Sequence, residues 1–197
     1  MKTILTRPFF ERDTVTVAQE LLGKKLVREI DGVRISGYII ETEAYNGEED
    51  LACHAHVGRT MRNSVMYGPA GHAYVYFTYG MHWLLNCVTG LENFPAAVLL
   101  RTLFPFEGME IIEANRNGRP KSEWCNGPAK ICQALNIDGK LNGANLCASS
   151  SPIRIEEGIR VPQELIQSTP RVGISSVPKP WRDIPWRFIV AELSALI

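Results

Sequence analysis

Short apolar segments separated by turn residues dominate the chain, and this pattern predicts more strands than helices. Near the N-terminus, Asp13 can cap a helix that Gly23 ends, and its apolar side is formed by Val15, Ala18, Leu21 and Leu22. Residues 25–30 and 33–42 follow as two strands around Asp31-Gly32, a dipeptide that tolerates the positive φ angles of a tight hairpin. Glu43 is therefore predicted at the end of the second strand.

A second hairpin is predicted over residues 74–88, with its turn near Tyr79-Gly80-Met81. This turn places large apolar side chains, Tyr79 and Met81, at an exposed tip. Folding gives no reason for that placement, whereas a protein that pushes a side chain between stacked bases needs it.

The rest of the chain predicts further short elements. Residues 96–103 form a buried strand that Phe104-Pro105 ends, residues 107–115 a helix, and Asn126-Gly127-Pro128 the cap and first turn of a helix over 129–137. Residues 186–191 are predicted to be extended. We therefore expect an α+β fold in which residues 1–197 form a single domain on a mostly antiparallel, curved β-sheet, with surrounding helices and a protruding hairpin.

Length and composition suit an intracellular globular protein. The chain has 197 residues, 45% of them hydrophobic. Its first 13 residues contain no apolar run of signal-peptide length, and no run of about 18 apolar residues occurs. We expect a soluble protein of the cytoplasm or nucleoid without membrane contact. The five cysteines include no Cys-x-x-Cys pair, which predicts reduced, mostly buried thiols.

Charge is distributed unevenly. The formal net charge is zero, which alone disfavours a protein that grips a polyanion. Residues 41–113 have three Lys and Arg against nine Asp and Glu, whereas residues 114–197 have eleven against seven. This pattern suits a carboxylate-bearing pocket with phosphate contacts around it, and it fits a solvated mixed-charge surface equally well.

Two carboxylates are candidates for chemistry. Glu41 and Glu43 lie two residues apart and therefore on one side of an extended strand. A positioned carboxylate can act as a general base that takes the proton of an attacking water. Carboxylates at strand ends are more often simply solvated.

Other chemistries fit the sequence less well. The pair His54 and His56 suggests a metal site, but neither a His-Glu-x-x-His pattern nor a third spaced histidine follows. The chain contains no nucleotide-binding glycine motif, and neither Lys24-Lys25 nor Lys130 lies in a context suited to Schiff-base chemistry. We therefore expect no metal, no cofactor and no strand-cutting lyase step.

Three sequence strings and a single asparagine between residues 40 and 101 are the most specific feature of the chain. They are Ile-Glu-Thr-Glu-Ala-Tyr ending at Tyr45, Tyr-Val-Tyr-Phe-Thr-Tyr-Gly-Met ending at Met81, the lone Asn86, and Val-Leu-Leu-Arg ending at Arg101. Together they strongly resemble the alkyladenine (3-methyladenine) DNA glycosylase family, and the similarity covers nearly the whole chain from Phe9. The resemblance implies a repair enzyme that flips alkylated or deaminated purines, such as 3-methyladenine, out of duplex DNA and leaves an abasic site.

The resemblance also implies catalytic and pocket roles. Glu43 would activate the attacking water, and Arg101 would be the second group that holds it. An aromatic pocket would favour a positively charged alkylated purine through cation–π attraction. Its walls would be Tyr45, His54 and Tyr76.

Selectivity and DNA contacts follow from the same resemblance. Asn86 would crowd out the exocyclic amino group of normal guanine, and a polar amide on an apolar strand needs such a use. Tyr79, with Met81 beside it, would fill the gap left in the duplex by the flipped nucleotide. Phosphate contacts are expected from a loop and a helix start, namely Arg59, Thr60, Arg62 and Lys130.

Simpler interpretations stay open for these residues. The aromatic side chains could be core packing, Arg101 could form an ordinary buried ion pair, and Lys130 could be a solvated lysine at a helix cap. At the level of function, the alternative is a module that binds distorted nucleic acid without chemistry. The presence of both Glu43 and Arg101 favours an enzyme, acting as a monomer on double-stranded DNA with a damaged purine.

Overall fold

The computed structural model describes residues 3–191. Within that range, eight strands form one antiparallel sheet in the order β3-β4-β5-β2-β1-β6, with β8 against β2 and β7 against β8. The strands are β1 (Lys25–Ile30), β2 (Val33–Asn46), β3 (Ala73–Thr78), β4 (His82–Val88), β5 (Ala96–Glu107), β6 (Ile153–Glu156), β7 (Ile166–Thr169) and β8 (Arg187–Val190). The predicted α+β class with an antiparallel sheet is confirmed.

The helices are short and cover the sheet. They are α1 (Arg7–Phe10), α2 (Thr14–Glu20), α3 (Met109–Arg116) and α4 (Pro128–Ala134). Helix α2 packs on β2 and β5, α4 packs on β4 and β5, and α3 packs on α4. Single 3-10 turns occur at His54–Val57, Ser64–Tyr67, Lys121–Glu123, Gly139–Leu141 and Gln163–Leu165.

The local signals near the N-terminus are confirmed. Asp13 caps α2, because its carboxylate accepts a hydrogen bond from the amide of Thr16 at 2.8 Å. Asp31 and Gly32 connect β1 to β2 with φ angles of 50° and 79°, as the hairpin turn requires.

Strand β2 is longer than predicted, and the placement of Glu43 at a strand end was wrong. The strand continues to Asn46, with β5 along one side and first β1, then β8, along the other. Glu43 lies opposite Leu99 of β5 and Arg187 of β8. Glu43 therefore lies on a part of β2 that is flanked by strands on both sides, because β5 and β8, which are distant in sequence, extend the pairing of β2.

Strand β5 also passes its predicted end at Phe104-Pro105 and continues to Glu107. Pro105 pairs with Gly37 next to a register shift in the ladder. A proline lacks the N–H that regular pairing needs, and such irregularities are where strands accept it.

Two helix predictions were correct in position and wrong in length. Helix α4 begins at Pro128 after Gly127, as predicted, but ends at Ala134, and Asn136 adopts a positive φ of 49°. Helix α3 begins at Met109 because Glu107 still belongs to β5.

A small apolar cluster beside the main core supports one wall of the candidate site. It consists of Cys53, Ala55, Met66, Tyr67, Tyr74, Val88 and Ala97. Tyr45 and Tyr76 pack against it. Four of the five cysteines are buried, and Cys147 is partly buried, in agreement with the prediction of mostly buried thiols.

Candidate active site

A cavity of about 390 Å³ lies between β2, β3, β4, β5 and residues 172–177. We call it the aromatic pocket, because Tyr45, Tyr74 and Tyr76 line it. The other lining residues with candidate roles are His54, Tyr79, Asn86 and Arg101. The fold thus brings together these candidate side chains, which spread over 56 positions of the sequence from Tyr45 to Arg101, with residues 172–177 from much later in the chain.

Glu43 lies behind the wall of the aromatic pocket, and its side chain is fully buried at 0% exposure. One carboxylate oxygen, Oε2, accepts a hydrogen bond from the Tyr45 hydroxyl at 2.8 Å and is 3.3 Å from Nη1 of Arg101. The other, Oε1, accepts from the backbone amide of Val172 at 2.7 Å. All three partners line the pocket.

Arg101 is held chiefly by Glu41, a pairing that no sequence pattern predicts. Its Nε donates to Glu41 Oε1 at 2.9 Å, closer than its contact with Glu43. Glu41 also accepts hydrogen bonds from Thr102 and Arg187. Burial alone would raise the pKa of Glu41, but these hydrogen bonds and the charge of Arg101 outweigh burial, so the pKa is lowered. Glu41 is therefore an anionic anchor that orients Arg101.

The phenol of Tyr45 stays protonated. Burial, followed by the charge of Glu43, raises its pKa well above the usual value. The protonated hydroxyl is the donor that the Glu43 carboxylate requires. This hydrogen bond also fixes the orientation of the Tyr45 ring in the pocket wall.

His54 and Tyr76 form a second aromatic wall. Their ring centroids are 4.5 Å apart with an edge-to-face angle of 75°, a favourable arrangement for aromatic pairs. Burial, and then the charge of Arg62, lower the pKa of His54 to about 4, so the imidazole is neutral near pH 7. A cationic ligand would therefore meet electron-rich, uncharged rings.

Asn86 lies on β4 between Tyr74 of β3 and Leu99 of β5. Its amide nitrogen donates to the carbonyl of Tyr74 at 3.0 Å. This bond fixes the side-chain plane at the pocket wall, so the buried polar group has a partner.

The tip of the β3–β4 hairpin exposes Tyr79 at 82% and Met81 at 67%. Tyr79 adopts a positive φ of 53°, and Gly80 follows at 66°. A non-glycine residue rarely adopts this conformation. The turn therefore projects Tyr79 into solvent at the edge of the aromatic pocket.

The candidate phosphate-binding residues lie in two places. Arg62 donates to the carbonyl of Phe77 at 3.1 Å and lies over the ring of Tyr76, while Arg59 lies over Tyr67. Thr60 and Asn63 bond each other's backbone amides, and Asn63 also donates to the carbonyl of His54. The loop is thereby tied to the pocket wall.

Lys130 lies separately on α4. Its Nζ donates to Asn126 at 2.8 Å and lies 3.6 Å from a carboxylate oxygen of Glu123. Pro128 occupies the first turn of this helix and also lines the aromatic pocket. Because a proline lacks an N–H, Pro128 contributes no backbone donor at the helix start, as its predicted place in the first turn implies.

The sequence also gave no sign that Asp50 and Arg171 form a buried ion pair beside the site, with contacts at 2.5 and 2.8 Å. Asp50 follows Glu48-Glu49 in the sequence and lies 121 residues from Arg171, so no local pattern predicts that their charges pair.

Residues 3–191 contain no cluster of three or more His, Cys, Asp or Glu side chains arranged to hold a metal. In the same part of the chain, no helix is long and apolar enough to cross a membrane.

The described part of the chain thus combines an aromatic pocket, a buried carboxylate beside an arginine, and an exposed aromatic hairpin tip. The methylpurine-DNA glycosylase (MPG) family matches residues 8–194 of the chain. The chain belongs to this family.

Curated relatives agree in both sequence and length. A protein of Carboxydothermus hydrogenoformans is 48% identical over 94% of both chains. One of Methanocella arvoryzae is 46% identical over 91% of this chain and 90% of its own, and one of Desulfitobacterium hafniense is 44% identical over 95% of both. All three carry the assigned name 3-methyladenine DNA glycosylase.

Proposed function

We propose that this protein, a single DNA glycosylase domain, hydrolyses the N-glycosidic bond of alkylated or deaminated purines such as 3-methyladenine in duplex DNA. Membership of the methylpurine-DNA glycosylase family supports a DNA glycosylase that acts on methylated purines. The observation that carries the mechanism is the buried Glu43 carboxylate, joined through Tyr45, Arg101 and Val172 to the wall of the aromatic pocket.

In the proposed reaction, a water oxygen bonds to C1′ of the deoxyribose while Glu43 takes its proton. The electron pair of the C1′–N bond leaves with the purine, and the deoxyribose keeps a hydroxyl at C1′. Each carboxylate oxygen has two acceptor sites, and Oε1 of Glu43 accepts a hydrogen bond from Val172, so a second acceptor site on Oε1 is proposed to bind this water. Arg101, held by Glu41, is placed to hold the water from a second side.

The proposed pocket favours bases that are already good leaving groups. Alkylation makes the purine cationic, and a cation gains from contact with the faces of Tyr45 and Tyr76. His54 supports this selection because it is neutral near pH 7, whereas an imidazolium would repel the ligand. Asn86, fixed by its bond to Tyr74, would crowd the amino group of guanine.

Reaching the pocket requires the nucleotide to leave the base stack, which costs a few kcal/mol. The exposed Tyr79, with Met81 beside it, is proposed to fill the vacated space. Arg59, Thr60, Arg62 and Lys130 are proposed to contact phosphates. One flipped base needs one pocket, so we propose that a monomer acts.

We also propose that the enzyme is monofunctional. A lyase step requires an amine that forms a Schiff base with the sugar. Among the described residues that line the aromatic pocket, none is a lysine.

A binding module without chemistry is the competing function, and one experiment separates the two. The protein is incubated with a methylated duplex, and the DNA is then split between hot alkali and neutral buffer. We expect more strand breaks with the protein than in a protein-free sample, and only after alkali, because alkali cleaves at the abasic sites that base release leaves. A gel shift without alkali-labile sites would refute base release, and breaks in neutral buffer would refute the monofunctional assignment.

A further inference from the structure

Arg171 and Asp50 form an ion pair whose two side chains are fully buried at 0% exposure. The guanidinium donates to both carboxylate oxygens, with Nη1 at 2.5 Å and Nη2 at 2.8 Å. It also donates to the carbonyls of Ala44 on β2 and Trp181. The Arg171 side chain thus connects β2, which carries Glu43, with Asp50 after β2 and with Trp181 between β7 and β8.

Aromatic rings enclose the same guanidinium. Its central carbon lies 4.8 Å from the centroid of the Tyr45 ring and 5.3 Å from that of Trp186. Tyr45 is the residue that donates to Glu43 and lines the aromatic pocket. Arg171 therefore supports the back of a ring that forms the pocket wall.

The chain after Arg171 enters the site directly. The amide of Val172 donates to Glu43 at 2.7 Å, and Val172, Gly173, Ile174, Ser176 and Val177 line the pocket. Residues 170–186, all of which the structure describes, form no helix or strand between β7 and β8. A segment without a regular hydrogen-bond ladder needs another means of keeping its place.

Stability alone does not explain this ion pair. Desolvation of two charges commonly cancels their attraction, so apolar residues of similar volume would stabilise the fold as well. The planar fork of an arginine adds directional constraint that apolar packing lacks. The geometry points to Arg171 as a positioning residue: with Asp50, it holds the Val172 amide on Glu43 and the Tyr45 ring in the pocket wall, an inference that rests on the proposed glycosylase activity.

The test uses Arg171→Lys, which keeps the charge but loses the fork. Arg154→Lys is the matched control, because Arg154 also pairs with a buried carboxylate, Glu156, but on β6 at the far side of the sheet. Asp50→Asn is a second variant, which retains the side-chain shape and removes the charge. Melting curves fix a temperature at which every variant is folded.

Two readouts are then compared. The first is the single-turnover excision rate at saturating enzyme, together with the affinity for a duplex that contains an abasic-site analogue. The second is hydrogen exchange of residues 172–177, which requires no activity. A positioning role predicts faster exchange there, with a rate loss of about tenfold or more and an affinity change within about threefold.

The controls make each result decisive. Arg154→Lys should match wild type in rate, affinity and exchange of residues 172–177. Wild-type rate and exchange in folded Arg171→Lys and Asp50→Asn would overturn the inference, as would an equal loss in Arg154→Lys. If the wild-type protein releases no base, the proposed function fails, and the exchange comparison still decides whether Arg171 holds Val172 in place.

Discussion

Replacing Glu43 with glutamine should abolish base excision while the protein still binds damaged DNA. The substitution keeps the shape of the side chain and removes its basicity. Its amide oxygen can keep the hydrogen bond from Val172, now 2.7 Å. The new NH₂ group would then face the Tyr45 hydroxyl, which can rotate to accept, and Arg101, which cannot accept.

The expected magnitudes follow from these contacts. A general base contributes roughly 10²–10⁴-fold to a reaction rate, and 10²-fold corresponds to about 2.7 kcal/mol of activation free energy. The mismatch of donors at Arg101 should lower the free energy of unfolding by about 1–3 kcal/mol. Below the melting midpoint more than half of the molecules are folded. Partial unfolding therefore cannot account for a rate loss of roughly 10²-fold or more.

The assay is single-turnover release of 3-methyladenine, in parallel with binding to a duplex that carries an abasic-site analogue. Glu156→Gln is the matched control. Glu156 is also a buried carboxylate paired with two arginines, Arg34 and Arg154, but it lies on β6, away from the pocket. It should show a comparable loss of stability with an unchanged rate.

Glu41→Gln serves as a graded comparison. Glu41 anchors Arg101, so its loss should slow excision less than the loss of Glu43. If Glu41→Gln abolishes release and Glu43→Gln excises at the wild-type rate, the assignment of the base is refuted even if the protein is a glycosylase.

Three further changes test other parts of the site. Tyr79→Ser should leave the melting temperature nearly unchanged because Tyr79 is 82% exposed, yet weaken binding of damaged duplex; a drop as large as that of the buried Tyr74→Ser would refute the insertion role. Asn86→Ser should permit slow release of normal guanine with less effect on methyladenine, and an unchanged guanine rate would reduce Asn86 to a structural partner of Tyr74. The pKa of His54 falls from 6.5 to about 4 on folding, so the unfolded state takes up a proton first as the pH falls. The free energy of unfolding should therefore decrease by up to about 1.4 kcal/mol per pH unit between pH 6.5 and about pH 4. Urea titrations should show a flatter decrease for His54→Asn, and equal slopes would contradict this origin.

Features encoded by adjacent residues could be predicted from the sequence. The cap at Asp13, the turn at Asp31-Gly32 and the exposed tip at Tyr79 depend on local backbone preferences, and the structure contains all three. One pocket is lined by residues that the family-like strings singled out, namely Tyr45, His54, Tyr76, Asn86 and Arg101. Their chemical roles stay predictions that the variants above test.

Features that depend on distant partners were decided only by the tertiary structure. Strand β2 extends past Thr42 because β5 and β8 pair with it, and Glu43 is consequently buried inside the sheet. Arg101 binds Glu41 more closely than Glu43, a choice set by how the strands are registered. Arg171 meets Asp50 across 121 residues of sequence. Local turns and the available side chains follow from the order of the residues, whereas burial and ion pairing depend on which segments the folded chain brings within a few ångströms of each other.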